Sequence, residues 1–155
     1  MSTEPSPRAR EEPPTDRRCW DWLRVLLGAV YLLGGLAHVA LGVLSPEVYE
    51  RFADQALVDA YADAWNSLVA PNTAVLVPLV ATFEFAVGAA LLWRGRAVRT
   101  GHAAAGLFQA ALILSGPWGP VNAVLAAVHA AAARRTYPDP VVDFGRLRNR
   151  LTDPL

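Results

Sequence analysis

One carboxylate stands alone in a long apolar run: Glu84, in PNTAVLVPLVATFEFAVGAALLW from Pro71 to Trp93. At the centre of such a segment a carboxylate costs about 2.5 to 3.5 kcal/mol on insertion scales, so it must face protein or water rather than lipid. The residues able to join it are few. His38 and His129 can exchange protons with a substrate as general acids or bases, as Glu84 can, and these three are the candidate catalytic groups. Tyr31, Gln109 and Asn122 offer hydrogen bonds and form a candidate polar layer for binding a head group. His102 lies close to Arg99 and reads as an interfacial residue of no special role. His102 and His129 share a depth that would also suit the two axial ligands of a haem, although nothing else marks a porphyrin site. The single cysteine, Cys19, leaves no internal disulfide and no cysteine-rich metal site, so no metal is assigned.

The elements that must position these residues are apolar helices. The chain has 155 residues, 54% hydrophobic and 18% charged, and the charges fall in short blocks separated by nearly uncharged segments. Net charge is zero, so no overall field draws nucleic acid. Residues 1–19, rich in proline and charge, read as a disordered tail. Arg17-Arg18 precedes an apolar run too long for the h-region of a signal peptide, so an uncleaved first helix is expected over 20–44. Residues 45–70 mix acids with Leu57, Tyr61, Trp65 and Leu68 at helical spacing, which predicts an amphipathic connector. Further helices are expected over 71–93, 98–115 and 121–135, the last two separated by Gly116-Pro117-Trp118-Gly119-Pro120. Residues 136–155 read as a second tail, in which Asp143-Phe144-Gly145 matches a kinase triplet by chance.

The expected fold class is therefore an all-α, integral membrane, antiparallel four-helix bundle with an amphipathic outer connector. Thirteen of the fourteen arginines fall on one side of it, together with both termini, and only Arg51 on the other. Positive charge on that scale places both termini in the cytoplasm of a cell inner membrane protein. Projection at 100° per residue puts Arg24, Tyr31, Gly34, Gly35, His38 and Gly42 on one stripe of the first helix. The other helices carry equivalent stripes through Ala81, Glu84 and Gly88, through His102, Ala105, Gly106 and Gln109, and through Asn122, Ala126, His129 and Ala133. Small residues admit close backbones and polar ones avoid lipid, so the four stripes should face one another. Counted by depth, Tyr31, Glu84 and Gln109 should meet near the midplane, with His38 towards the outer face.

The motifs LLGGLAH (Leu32 to His38), EFAVGAALLWRGRAVRTG (Glu84 to Gly101) and Pro120-Val121-Asn122 resemble the DoxX-like family of small four-helix membrane proteins. The resemblance covers residues 20–135 and touches Gly35, His38, Glu84, Gly88, Arg99 and Asn122. It implies association with membrane redox chemistry, including thiosulfate:quinone oxidation, and hence an accessory subunit with quinone as its ligand and an oxidoreductase as its partner. No redox cofactor motif is evident in the chain itself. Two other classes fit the residues alone: a non-catalytic anchor or assembly subunit, and a small transporter or proton pathway.

Overall fold

The computed structural model describes residues 14–141, the first four by their backbone only. Those residues are all-α. In chain order they form α1 (Pro14–Leu44), α2 (Glu47–Glu50), a 3-10 turn (Arg51–Gln55), α3 (Asp59–Ala64), α4 (Thr73–Leu92), α5 (Arg96–Ala111) and α6 (Gly119–Ala132). Most of both tails, with the Asp143-Phe144-Gly145 triplet, lies outside the described residues.

Several boundaries differ from expectation; α6 begins two residues and ends three residues before the expected 121–135, and three other differences have a local cause. α1 begins at Pro14 rather than at residue 20, because proline is favoured at the first helical position, where no N–H is needed. The connector is not one amphipathic helix. It breaks after Gln55, restarts at Asp59, and then runs without interruption into α4 through a π turn (Trp65–Val69) and a 3-10 turn (Ala70–Asn72) around Pro71. A proline cannot donate to the preceding turn, and wider or tighter turns absorb that loss. α5 ends at Ala111, four residues early. The Leu112 carbonyl is taken by the Ser115 hydroxyl at 2.7 Å and by Asn122 Nδ2 at 2.9 Å, so it has no need of a further helical turn. Gly116 then turns the chain with φ of 146°, at a place where a Cβ would stand 2.7 Å from the Gln55 carbonyl oxygen.

Sequential long helices pack antiparallel. Along α1 and α4, Gly42 meets Val77, Gly35 meets Ala81 and Phe85, and Gly28 meets Gly88 and Leu92, so one numbering falls as the other rises. Gly101 against Ala90, with Phe83 against Phe108, sets α4 on α5 in the same way; His102 against His129 sets α5 on α6. α6 returns to α1 through the Tyr31 and His129 rings and through the Arg135 guanidinium over Trp20. Both ends of the described chain therefore lie at one end of the helix array, here the terminal end; α2 and α3 lie at the connector end.

The expected stripes are the buried faces. Arg24, Tyr31, Ala81, Glu84, Gly88, His102, Ala105 and His129 are all buried. The opposite faces are apolar and open: Leu26 is 62% exposed, Leu33 64%, Val43 76%, Val75 69% and Leu107 75%. Arg18–Leu44 and Asp59–Leu92 are long and apolar enough to cross a membrane.

Residues 136–141 do not behave as a tail. Tyr137 is buried; its hydroxyl donates to the Ala132 carbonyl at 3.0 Å and its own carbonyl accepts from the Gly95 N–H. The Val141 N–H bonds the Leu92 carbonyl. Arg24 clamps this segment from α1, donating to the Trp93 carbonyl at 2.9 Å and the Asp139 carbonyl at 2.8 Å, pairing with Asp21 at 2.9 Å, and lying over the Tyr137 ring.

Candidate functional site

A side chain on a helix leans towards that helix's own N-terminus. Because α1 and α4 are antiparallel, Glu84 leans towards the connector end while His38 and Tyr31 lean towards the terminal end. Glu84 therefore reaches past Tyr31 and settles beside Gly34 and His38. A Cβ on Gly34 would sit 2.9 Å from Glu84 Oε2, so the absence of a side chain there is what admits the carboxylate. His38 Nε2 lies 3.7 Å from Glu84 Oε2. That is beyond direct hydrogen-bond length but within reach of one bridging water.

The other nitrogen of His38, Nδ1, stands 2.7 Å from the Tyr49 hydroxyl of α2, with the two rings stacked. Burial, then the Glu84 carboxylate, pushes the Tyr49 hydroxyl above its ordinary value of 10, so it is protonated at neutral pH. With hydrogen on Nδ1 the His38 ring donates to the Tyr49 oxygen and presents a bare Nε2 to Glu84; with hydrogen on Nε2 it accepts from the Tyr49 hydroxyl. Trp65 Nε1 donates to the Tyr49 carbonyl at 2.8 Å and stacks on Phe52, holding α2 over the end of α1.

His38 and Tyr49 line a cavity of about 450 Å³ between α1, α2 and α4, together with Val39, Gly42, Val77 and Ala81 among others, and Glu84 stands behind His38. Its walls are mostly apolar. A cleft of that size with a few convergent polar groups at one wall matches the usual form of a small-molecule site.

The expected midplane layer is divided. Gln109 Nε2 does donate to the Tyr31 hydroxyl, at 3.1 Å. Glu84 belongs with His38 instead, and Asn122 bonds the Leu112 carbonyl at the end of α5. His129 forms a separate pair with His102, Nδ1 to Nδ1 at 2.9 Å, its ring edge against Tyr31. His102 is thus not interfacial. It is 1% exposed because Tyr137, from the stretch expected to be a tail, covers it. Nor do these two rings flank a haem: bonded to each other through Nδ1, they leave no gap for a porphyrin plane, whose axial nitrogens stand about 4 Å apart.

Sequence reasoning also missed Tyr49, which looks like one more aromatic of the connector. Its signal is its position, about one turn beyond the end of α1 and close enough to fold back over His38. Comparison with models of known protein families, with curated proteins and with solved structures finds no match for this chain.

Proposed function

We propose that the chain is a four-helix integral membrane protein, termini cytoplasmic, whose cavity at the connector end takes the head group of a quinone as part of a membrane redox system. α1, α4, α5 and α6 supply the four helices, of which α5 and α6 are short and lie side by side, with Arg99 against Ala133 at the terminal end and Leu112 against Asn122 at the connector end. The exposed apolar faces of α1 and α4 support lipid as their solvent, since the core helix of a soluble protein would bury most of such a surface. The asymmetric arginines support the orientation.

The observation that carries the ligand reading is a mostly apolar cavity with Tyr49 and His38 in its wall and Glu84 behind His38. Reduction of a quinone takes two electrons, here from an oxidoreductase partner, and two protons, one at each ring oxygen. With hydrogen on Nδ1, His38 donates to the Tyr49 oxygen while the Tyr49 hydroxyl gives its proton to a ring oxygen of the quinone; the Nδ1 proton then passes to Tyr49, and Glu84 or its water gives a proton to the bare Nε2. The apolar walls accept the ring and the start of an isoprenoid tail. The resemblance to DoxX-like proteins points to the same chemistry and to the role of accessory subunit.

Trp65 makes this testable, because it is bonded to the Tyr49 backbone and quinones quench indole fluorescence. Titration of detergent-solubilised protein with a short-tailed ubiquinone analogue should quench saturably, and His38→Leu should abolish the saturable part. Quenching that rises linearly and equally in both proteins contradicts the site.

A further inference from the structure

Buried polar side chains ordinarily find partners, and water fills the remaining positions where space allows. Among the described residues, the buried side-chain atoms without a hydrogen-bond partner are Glu84 Oε2, Gln109 Oε1, His102 Nε2, His129 Nε2 and Arg24 Nε. The last faces Asp21 at 2.9 Å in an ion pair. The other four are not scattered. They follow one line through the helix array, from Glu84 behind the cavity-lining His38, by Tyr31 and Gln109, to His129, His102, Tyr137 and the Arg24–Asp21 pair at the terminal end.

From this alignment we infer that the interior holds a water-assisted proton relay between the connector-end cavity and the terminal end. The inference rests on the membrane-spanning reading above but not on what occupies the cavity.

The histidine pair supplies the step that simple hydrogen bonding does not. With the two Nδ1 atoms 2.9 Å apart, one ring donates and the other accepts. The donor ring therefore has a bare Nε2, and the acceptor ring carries hydrogen on its Nε2. The two unpartnered Nε2 atoms are thus of opposite kind. A proton taken up at the bare Nε2 is matched by passage of the shared Nδ1 proton to the second ring and release of hydrogen from that ring's Nε2. One proton enters, one leaves, and no net charge stays. The pair then resets by exchanging tautomers through water.

Towards the cavity, the Tyr31 hydroxyl both accepts from Gln109 and can donate onward, and Glu84 receives at the far side of Gly34. At the terminal end Arg24 would oppose a cation by itself. Asp21 offsets that charge and is the partly exposed member of the pair, open to collect protons.

The test is proton flux into proteoliposomes with a trapped pH dye, driven by a potassium diffusion potential set with valinomycin. The full chain should acidify the lumen well above protein-free vesicles. His102→Gln keeps a hydrogen-bonding side chain but cannot pass a proton through a ring, and it should slow the flux at least about tenfold. Glu84→Gln should do the same, while Ser67→Ala, on the exposed connector, should leave it unchanged. If His102→Gln does not reconstitute as a monodisperse protein, His129→Asn is read in its place. Flux no faster than in protein-free vesicles, from protein shown to be inserted, overturns the relay, as does full flux in His102→Gln. Neither result touches the quinone titration, so the two readings can fail separately.

Discussion

Two pairs of polar side chains sit inside the same helix array and are built in opposite ways. His38 at the connector end is partly exposed, bonded to a tyrosine on a four-residue helix, and borders a cavity. His129 at the terminal end is fully buried, bonded to another histidine, and sealed by Tyr137 and the Arg24 clamp. The difference lies in what covers each pair. α2 is short and lightly attached, so it can yield to a ligand. The segment 136–141 is fixed by four hydrogen bonds to backbone carbonyls and cannot yield cheaply.

Substitutions at the two ends should separate along that line. Arg24→Met should have the largest effect, since it leaves the Trp93 and Asp139 carbonyls and the Asp21 carboxylate without their cation. A loss of about 3 to 5 kcal/mol, read as a drop in thermal stability in detergent, is expected for removing one partner of a buried charge network. The same protein, at a temperature where it remains folded, should still show saturable quenching of Trp65. Loss of both together would mean that the ends are one unit, which breaks the comparison.

Gly88→Leu comes next. Its Cβ would stand 2.7 Å from Leu32 Cγ and 2.9 Å from the Gly28 carbonyl oxygen, so α1 and α4 must part, at about 3 kcal/mol. This change should damage both ends, because α1 and α4 are common to them. Tyr49→Phe removes one buried-side hydrogen bond and should cost about 1 kcal/mol while weakening quinone binding several-fold. It should leave the histidine pair untouched.

The smallest effect is one of pH. Tyr49 ionises above its ordinary value in the folded chain, so its contribution to stability is complete below about pH 10 and is lost as the pH rises through the folded value. Thermal melts of wild type and Tyr49→Phe should therefore converge in strongly alkaline buffer and differ at pH 8. A constant difference across that range would remove Tyr49 from the buried series. Topology has its own test: a cysteine at Asp59 should react with an impermeant reagent from outside, and one at Arg96 should not.

Helical periodicity makes the buried stripes legible in the sequence, down to Gly34 and Gly88. In an apolar chain, small and polar residues recurring on one face of each of four helices mark the faces that meet. Depth is less legible. Counting residues from helix ends locates Cα atoms, whereas chemistry happens at the tips of side chains, and Glu84, Tyr31 and His38 each lean a further 4 to 6 Å or so along their helices. In antiparallel neighbours those displacements are opposite, which is why Glu84 pairs with His38 rather than Tyr31. The roles of Tyr49 and Tyr137 are illegible because both depend on irregular segments folding back on a helix end. No periodicity announces that.

The most direct measurement is gentle purification of the tagged full chain from its native membrane, with mass spectrometry of the lipids and proteins that accompany it. The proposed function predicts a quinone at near-stoichiometric amount in the wild type and its loss in His38→Leu, together with an oxidoreductase partner. A protein that emerges from the membrane with no quinone, and takes up none when it is supplied, would contradict it.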